Sequence, residues 1–281
     1  MPVQLTDLVP DQEPAKLAGG FQFTEGPVWH PDGYLLFSDI PADVIHKYTS
    51  DGTVEMYLSP SRNSNGLTLD RSGRLVACEH SGRQVSRQDS SGQMVSVASR
   101  WGGQRLNSPN DLVVHSSCSI FFTDPPYGIE PEQAEIGHNG VYRIDADGSV
   151  TLLESDFARP NGLAFSPDEA ILYIDDSERR NVRAFDVQRD LSINNDRVFT
   201  NMDIEERGSP DGMKVDTEGH LYVTGAGGVW VITPDGTHLG TIPFPELPAN
   251  LTFGGDDYRT LFVTARTGLY SVRVNVTGIK P

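Results

Sequence analysis

The 281-residue chain carries 22 Lys and Arg against 39 Asp and Glu, a formal charge of -17, with 37% hydrophobic residues, 28 Gly and 19 Pro. That apolar content suffices to bury a core, and 22% charged residues is the composition of a globular protein rather than a disordered one. The acidic surplus excludes nucleic acid and anionic membrane surfaces as partners, because both would repel it.

The N-terminal stretch MPVQLTDLVPDQEPAKL lacks the basic start and apolar run of a signal peptide, and no later run of about 18 apolar residues follows. The expectation is a soluble, cytoplasmic protein. Cys78 and Cys118 are too few for a disulfide scaffold and have no metal-site spacing, so both read as buried reduced thiols. The next stretch, PAKLAGGFQF, reads as a strand.

Six related segments then follow: EGPVWHPDGYLLFSDI from Glu25, NGLTLDRSGRLVACEH from Asn65, NDLVVHSSCSIFFTDP from Asn110, NGLAFSPDEAILYIDD from Asn161, DGMKVDTEGHLYVTGA from Asp211 and NLTFGGDDYRTLFVTA from Asn250. Each predicts a short strand, a tight turn (PDG at 31–33, RSG at 71–73, TEG at 217–219) and a more apolar second strand. Further hairpins lie between them, with turns at SDG 50–52, DADG 145–148 and PDG 234–236. Four strands in each unit of about 40 to 50 residues predict an all-β, six-bladed β-propeller that takes up residues 1–281 as one domain. Only three strands remain after Asn250, and PAKLAGGFQF resembles the fourth strands TVEMYLSP and VTLLESDF, so the N-terminal strand should complete the last blade. Trp29, Val113, Phe165 and Val215 alternate with polar positions and read as packing between blades.

First strands lie innermost in such a blade, so Glu25, Asn65, Asn110, Asn161, Asp211 and Asn250 should converge at one mouth of the central channel. All six carry a side-chain oxygen, and each repeat already has its turn elsewhere. A ring of oxygens without convergent Cys or His favours a hard divalent cation, which Glu25 and Asp211 would neutralise. The seven His residues are scattered; His80 and His138 fall on the same face, whereas His30, His115 and His220 read as structural.

The segments FTEGPVW, RLNSPNDLVV, FTDPPYG, RPNGLAFSPDE and SPDGMKVD resemble, in family order, the gluconolactonase branch of the SMP-30/gluconolactonase/luciferin-regenerating family of six-bladed propellers. The resemblance implies one catalytic divalent cation held by Glu25, Asn110, Asn161 and Asp211, with Asp211 also the general base. It leaves Asn65 and Asn250 behind the ligands or facing substrate. The implied ion is Ca²⁺, with Mg²⁺, Mn²⁺ or Zn²⁺ as alternatives, and the implied reaction is hydrolysis of a small sugar-type lactone to its hydroxy acid by a metal-activated water.

The loops after Asp39, Glu79, Asp124 and Asp175 should share the metal face. The longest, residues 124–140, is a candidate lid whose Tyr127 would stack on a sugar-like ring. Arg105 and Asn107 enter the same face just before Asn110, and Arg105 would hold a substrate carboxyl or hydroxyls. No G-x-S-x-G elbow is present, which argues against a covalent route. Two other readings use the same ring: a phosphotriesterase or arylesterase, and a non-catalytic Ca²⁺-binding propeller.

Overall fold

The computed structural model describes residues 3–10 and 13–281. Six four-stranded antiparallel sheets form a six-bladed β-propeller. Their innermost strands are Thr24–His30, Ser64–Leu69, Leu112–Val114, Pro160–Phe165, Met213–Val215 and Pro248–Gly254. The sixth blade takes its outermost strand from Ala15–Gly19, which pairs with Gly268–Arg273 from Ala15 opposite Ser271 to Gly19 opposite Gly268. The ring is thus closed by the two ends of the chain, as the incomplete sixth repeat predicts.

The hairpin turns share one construction. In each, an amide donates three residues back, as from Gly33 to His30, Gly73 to Asp70 and Gly219 to Asp216. The donor residue sits in the left-handed region, where glycine carries no Cβ penalty. The φ values of Gly33, Gly73 and Gly219 are 87°, 77° and 90°. In blade 3 the same place is taken by Cys118, with φ 72° and its amide on the His115 carbonyl. This corrects the expectation for the two thiols: Cys78 is buried in its strand, but Cys118 is exposed at a turn tip. Aligning HSSCS with HPDGY puts Cys118 on Gly33, a relation that composition alone does not reveal.

Two of the seams between blades are aromatic. Trp29 stacks on Phe262 across the closing seam at 5.3 Å, and Phe121 meets Phe165 edge-on at 5.0 Å between blades 3 and 4. Trp29, Phe165 and Val215 are buried as expected, and Val113 is partly buried. The short helix Leu5–Leu8 sends Leu8 into the core shared by blades 5, 6 and 1. The C-terminal segment runs beneath the opposite mouth, where Ile279 donates to the Val215 carbonyl. Among the described residues no helix is long and apolar enough to cross a membrane.

On that underside Asp216 accepts from the His220 amide and lies 2.9 Å from His220 Nδ1, which holds the imidazole pKa above its usual value. The folded state therefore binds this proton more tightly than the unfolded chain. The resulting stabilisation is fully present below about pH 6.5 and fades as pH rises through the folded pKa. His220→Gln should accordingly lose more unfolding free energy at about pH 5.5 than at about pH 9 in parallel urea titrations. An equal loss at both would show that the pair stabilises as a neutral hydrogen bond.

Candidate active site at the mouth of the channel

The inner strands enter the channel through short loops that three buried acids hold in place. Asp39 accepts from the amides of Gln22 and Phe23, Asp124 from Asn107 and Ser108, and Asp176 from Ala158 and Arg159. Each acid ends the second strand of its blade and grips the backbone two and three residues ahead of Glu25, Asn110 or Asn161. Charge-assisted bonds to otherwise orphaned amides are strong, so three of the four ligand candidates start from a fixed backbone.

The residue after each ring position lies against the neighbouring blade. Gly26, Gly66, Gly162 and Gly212 occupy that place, and the reason is space. A Cβ on Gly26, where φ is +50°, would lie 1.9 Å from the Asn65 carbonyl oxygen. One on Gly162 would lie 2.1 Å from the Asp211 carbonyl and 2.9 Å from Asp175 Oδ2. Gly162→Ala should therefore lower stability by about 1–3 kcal/mol in denaturant melts, the range for forced overpacking, and lower catalytic rate with it because Asp211 must move.

Backbone register corrects one member of the predicted ring. Thr24 pairs with Asp39, Ser64 with Glu79, Pro160 with Asp176 and Pro248 with Ala265, so the position after each is Glu25, Asn65, Asn161 and Ala249. The Gly212 amide correspondingly bonds to the Ala249 carbonyl, as Gly162 bonds to Asp211 and Gly66 to Asn110. Asn250 stands one step lower, in the place of the glycines, with its Nδ2 3.3 Å from Asp111 Oδ2. Matching side-chain types aligned Asn with Asn, whereas strand pairing sets the frame. The ring is five oxygen-bearing side chains and one alanine.

Within it, Asn65 Nδ2 donates to Asn110 Oδ1 at 2.6 Å, Asn110 Nδ2 to Asn161 Oδ1, and Asn161 Nδ2 to Ser177 Oγ at 3.0 Å. Ser177 donates onward to the Pro210 carbonyl at 2.7 Å, beside Asp211. His80 Nε2 lies 3.2 Å from both Asn65 Nδ2 and Asn110 Oδ1, and burial pushes its pKa down to about 4. A neutral imidazole therefore backs the amide chain at neutral pH.

Negative charge is concentrated under this ring. Burial pushes Glu25 up to about 7, with repulsion from Asp111 adding to it. Asp211 is driven well above the usual carboxylate range by burial, then by Glu25 and Asp111. Asp111 is raised by burial, against the nearby Lys214 ammonium. Asp175 stands where other blades place a hydroxyl: Ser38, Thr123 and Thr224 each donate to an inner-strand carbonyl of the next blade. Neither Asp175 oxygen has a hydrogen-bond partner, and burial with Asp211 nearby pushes its carboxyl well up. Among the described residues no three His, Cys, Asp or Glu side chains gather into a ligand cluster. The oxygen set at the mouth is two carboxylates with amides between them.

The five side chains floor a cavity of about 620 Å³ whose walls include Phe23, Ile40, His80, Tyr127, Ser177 and three arginines, Arg159, Arg207 and Arg266. Tyr127 reaches it from the 124–140 loop, 40% exposed, with the Arg159 guanidinium 5.5 Å from its ring centre. Arg105 and Asn107 do not line it. The Arg105 guanidinium bonds to the Gly82 carbonyl, and Asn107 is buried with its amide on the Asp124 and His138 carbonyls, supporting the loop. His138 turns its ring to Tyr142 and also lies outside.

The family model described as the SMP-30/Gluconolactonase/LRE-like region matches residues 23–267. The chain belongs to that family. A gluconolactonase of Zymomonas mobilis is 34% identical, over 93% of this chain and 81% of its own, and a pentonolactonase of Haloferax volcanii is 31% identical, over 87% and 81%. The solved structure of a Xanthomonas campestris gluconolactonase superposes with a TM-score of 0.89 at 36% identity, covering 96% of this chain and 92% of its own.

For this family member, sequence reasoning missed the three wall arginines and Ser177. Arg159 lies two residues before Asn161 in RPN, Arg207 four before Asp211, and Arg266 just past a second strand. Their signal was position next to a ring residue or strand end, rather than residue type.

Proposed function

We propose that this protein is a metal-dependent lactonase that hydrolyses a sugar-type lactone to its hydroxy acid, with Glu25, Asn110, Asn161 and Asp211 as metal ligands and Asp211 as general base. The observation that carries the reading is the convergence of these four side chains on the floor of one open cavity, in a chain whose relatives include a gluconolactonase and a pentonolactonase. The donor set fits a hard divalent cation, since it is all oxygen and contains two carboxylates. The partnerless Asp175 oxygens and the mutual repulsion of Glu25, Asp111 and Asp211 are charge that such an ion would answer. Ca²⁺ is the first candidate, then Mg²⁺, Mn²⁺ or Zn²⁺.

A cation bound there supplies Lewis-acid polarisation of the ester carbonyl and a more acidic water. Asp211, partly open to the cavity, takes the proton from the attacking water and returns it to the ring oxygen as the carbon–oxygen bond breaks. Asn65, bonded to Asn110 and His80, holds the ligand amides in register. Tyr127 offers an aromatic wall for the sugar ring. The strands from Ala15 to Arg273 build one propeller, which acts as a single domain.

An initial-rate screen of five- and six-membered lactones against Ca²⁺, Mg²⁺, Mn²⁺ and Zn²⁺ tests the reading. Turnover of at least one lactone that depends on added metal is expected. Turnover confined to phosphotriesters or aryl esters, or metal binding with no turnover, would replace it.

A further inference from the structure

Resting on the lactonase reading, we infer that the substrate carries a second, ionised group besides the lactone, a carboxylate or phosphate, and that Arg207 and Arg266 recognise it. The chain as a whole has a charge of -17, yet three arginines line this one cavity, with the Arg266 guanidinium beside the Phe23 ring of its wall. Besides Glu25 and Asp211, which a divalent cation neutralises, the only acid lining it is Glu178. Glu178 already pairs with Arg159 at 3.2 Å. Arg207 and Arg266 make no ion pair among the described residues, so the loaded site keeps a positive wall facing the substrate.

Both guanidiniums stand on braced backbone. The Arg207 carbonyl accepts from the Gly227 amide, and Arg180 grips the carbonyls on either side, Glu206 and Gly208, at 3.2 and 2.9 Å. The Arg266 carbonyl accepts from the Thr24 amide at 2.8 Å, one residue from Glu25, and its guanidinium lies 5.2 Å from the Phe23 ring centre. A planar guanidinium with unused donors matches carboxylate or phosphate oxygens in pairs, and a neutral polyol does not require it. A cavity of about 620 Å³ has room for a sugar-sized ring and the added group.

The test compares kcat/KM, with Ca²⁺ or the best metal of the screen, for three lactones of one ring size: a neutral aldonolactone, an aldaric acid monolactone and a phosphorylated aldonolactone. The expected result is at least a 10-fold preference for one anionic lactone, with the carboxylate and phosphate arms telling which. Arg207→Met and Arg266→Met should each reduce the anionic-to-neutral ratio about 10-fold, chiefly through KM, and added salt should compress it. A neutral lactone turned over as well as or better than both anionic ones, or arginine variants that leave the ratio unchanged, overturns the inference while the lactonase reading stands. If no lactone turns over, that reading falls, and equilibrium binding decides the inference. An open-chain aldarate must then bind wild type more tightly than an aldonate, and must lose that margin in Arg207→Met; otherwise the inference falls as well.

Discussion

Asp211→Asn should lower kcat on the preferred lactone by about 10²- to 10⁴-fold while the protein stays folded, and Asp211→Ala should do at least as much. The asparagine keeps an oxygen at the ring and cannot take a proton, so the kcat defect should exceed any change in KM. Stability should move the other way or not at all. Asp211 is crowded by Glu25 and Asp111 at the cavity floor, and removing one of three repelling carboxylates relieves the others. Stopped or initial-rate hydrolysis with a parallel thermal melt reads both. Full rate in Asp211→Ala would remove the residue from the mechanism.

Stripping the metal should abolish hydrolysis, and a divalent cation should restore it. The same titration should raise the melting temperature, because a ligand that binds only the folded state adds about 2.7 kcal/mol at a hundred times its Kd. Glu25→Gln should blunt both effects, since it removes one of the two carboxylates at the floor. Chelated protein that keeps its turnover and its melting temperature would contradict the ligand set.

The propeller was legible because its unit repeats six times and each repeat carries its own turn chemistry, down to the missing sixth outer strand. The cavity floor was legible where a ring residue heads a recognisable segment, as Glu25, Asn65, Asn110, Asn161 and Asp211 do. Asn250 misled because resemblance in side-chain type outweighed the register of its strand, and only pairing shows that Ala249 holds the ring position. Arg105 misled for a different reason: nearness in sequence to Asn110 does not say which way a loop turns, and Asp124 draws that loop into the interior. Asp39 and Asp124 stand in the sequence only as the starts of loops, and Asp176 is passed over for Asp175, because an acid bonded to backbone amides leaves no mark in composition.

The strand that completes blade six lies just ahead of Glu25, and its partner Gly268–Arg273 belongs to the last blade. The consequence concerns the order of events during synthesis. Glu25 leaves the ribosome well ahead of Arg266, yet the Thr24 amide beside it finds its acceptor only when Arg266 has been made. Until then the nascent chain holds an unfinished arc with an open strand edge, the state most exposed to wrong pairing. Catalytic competence then arrives in one late step, and hydrolysis in a translating lysate would report that the first and last blades have met.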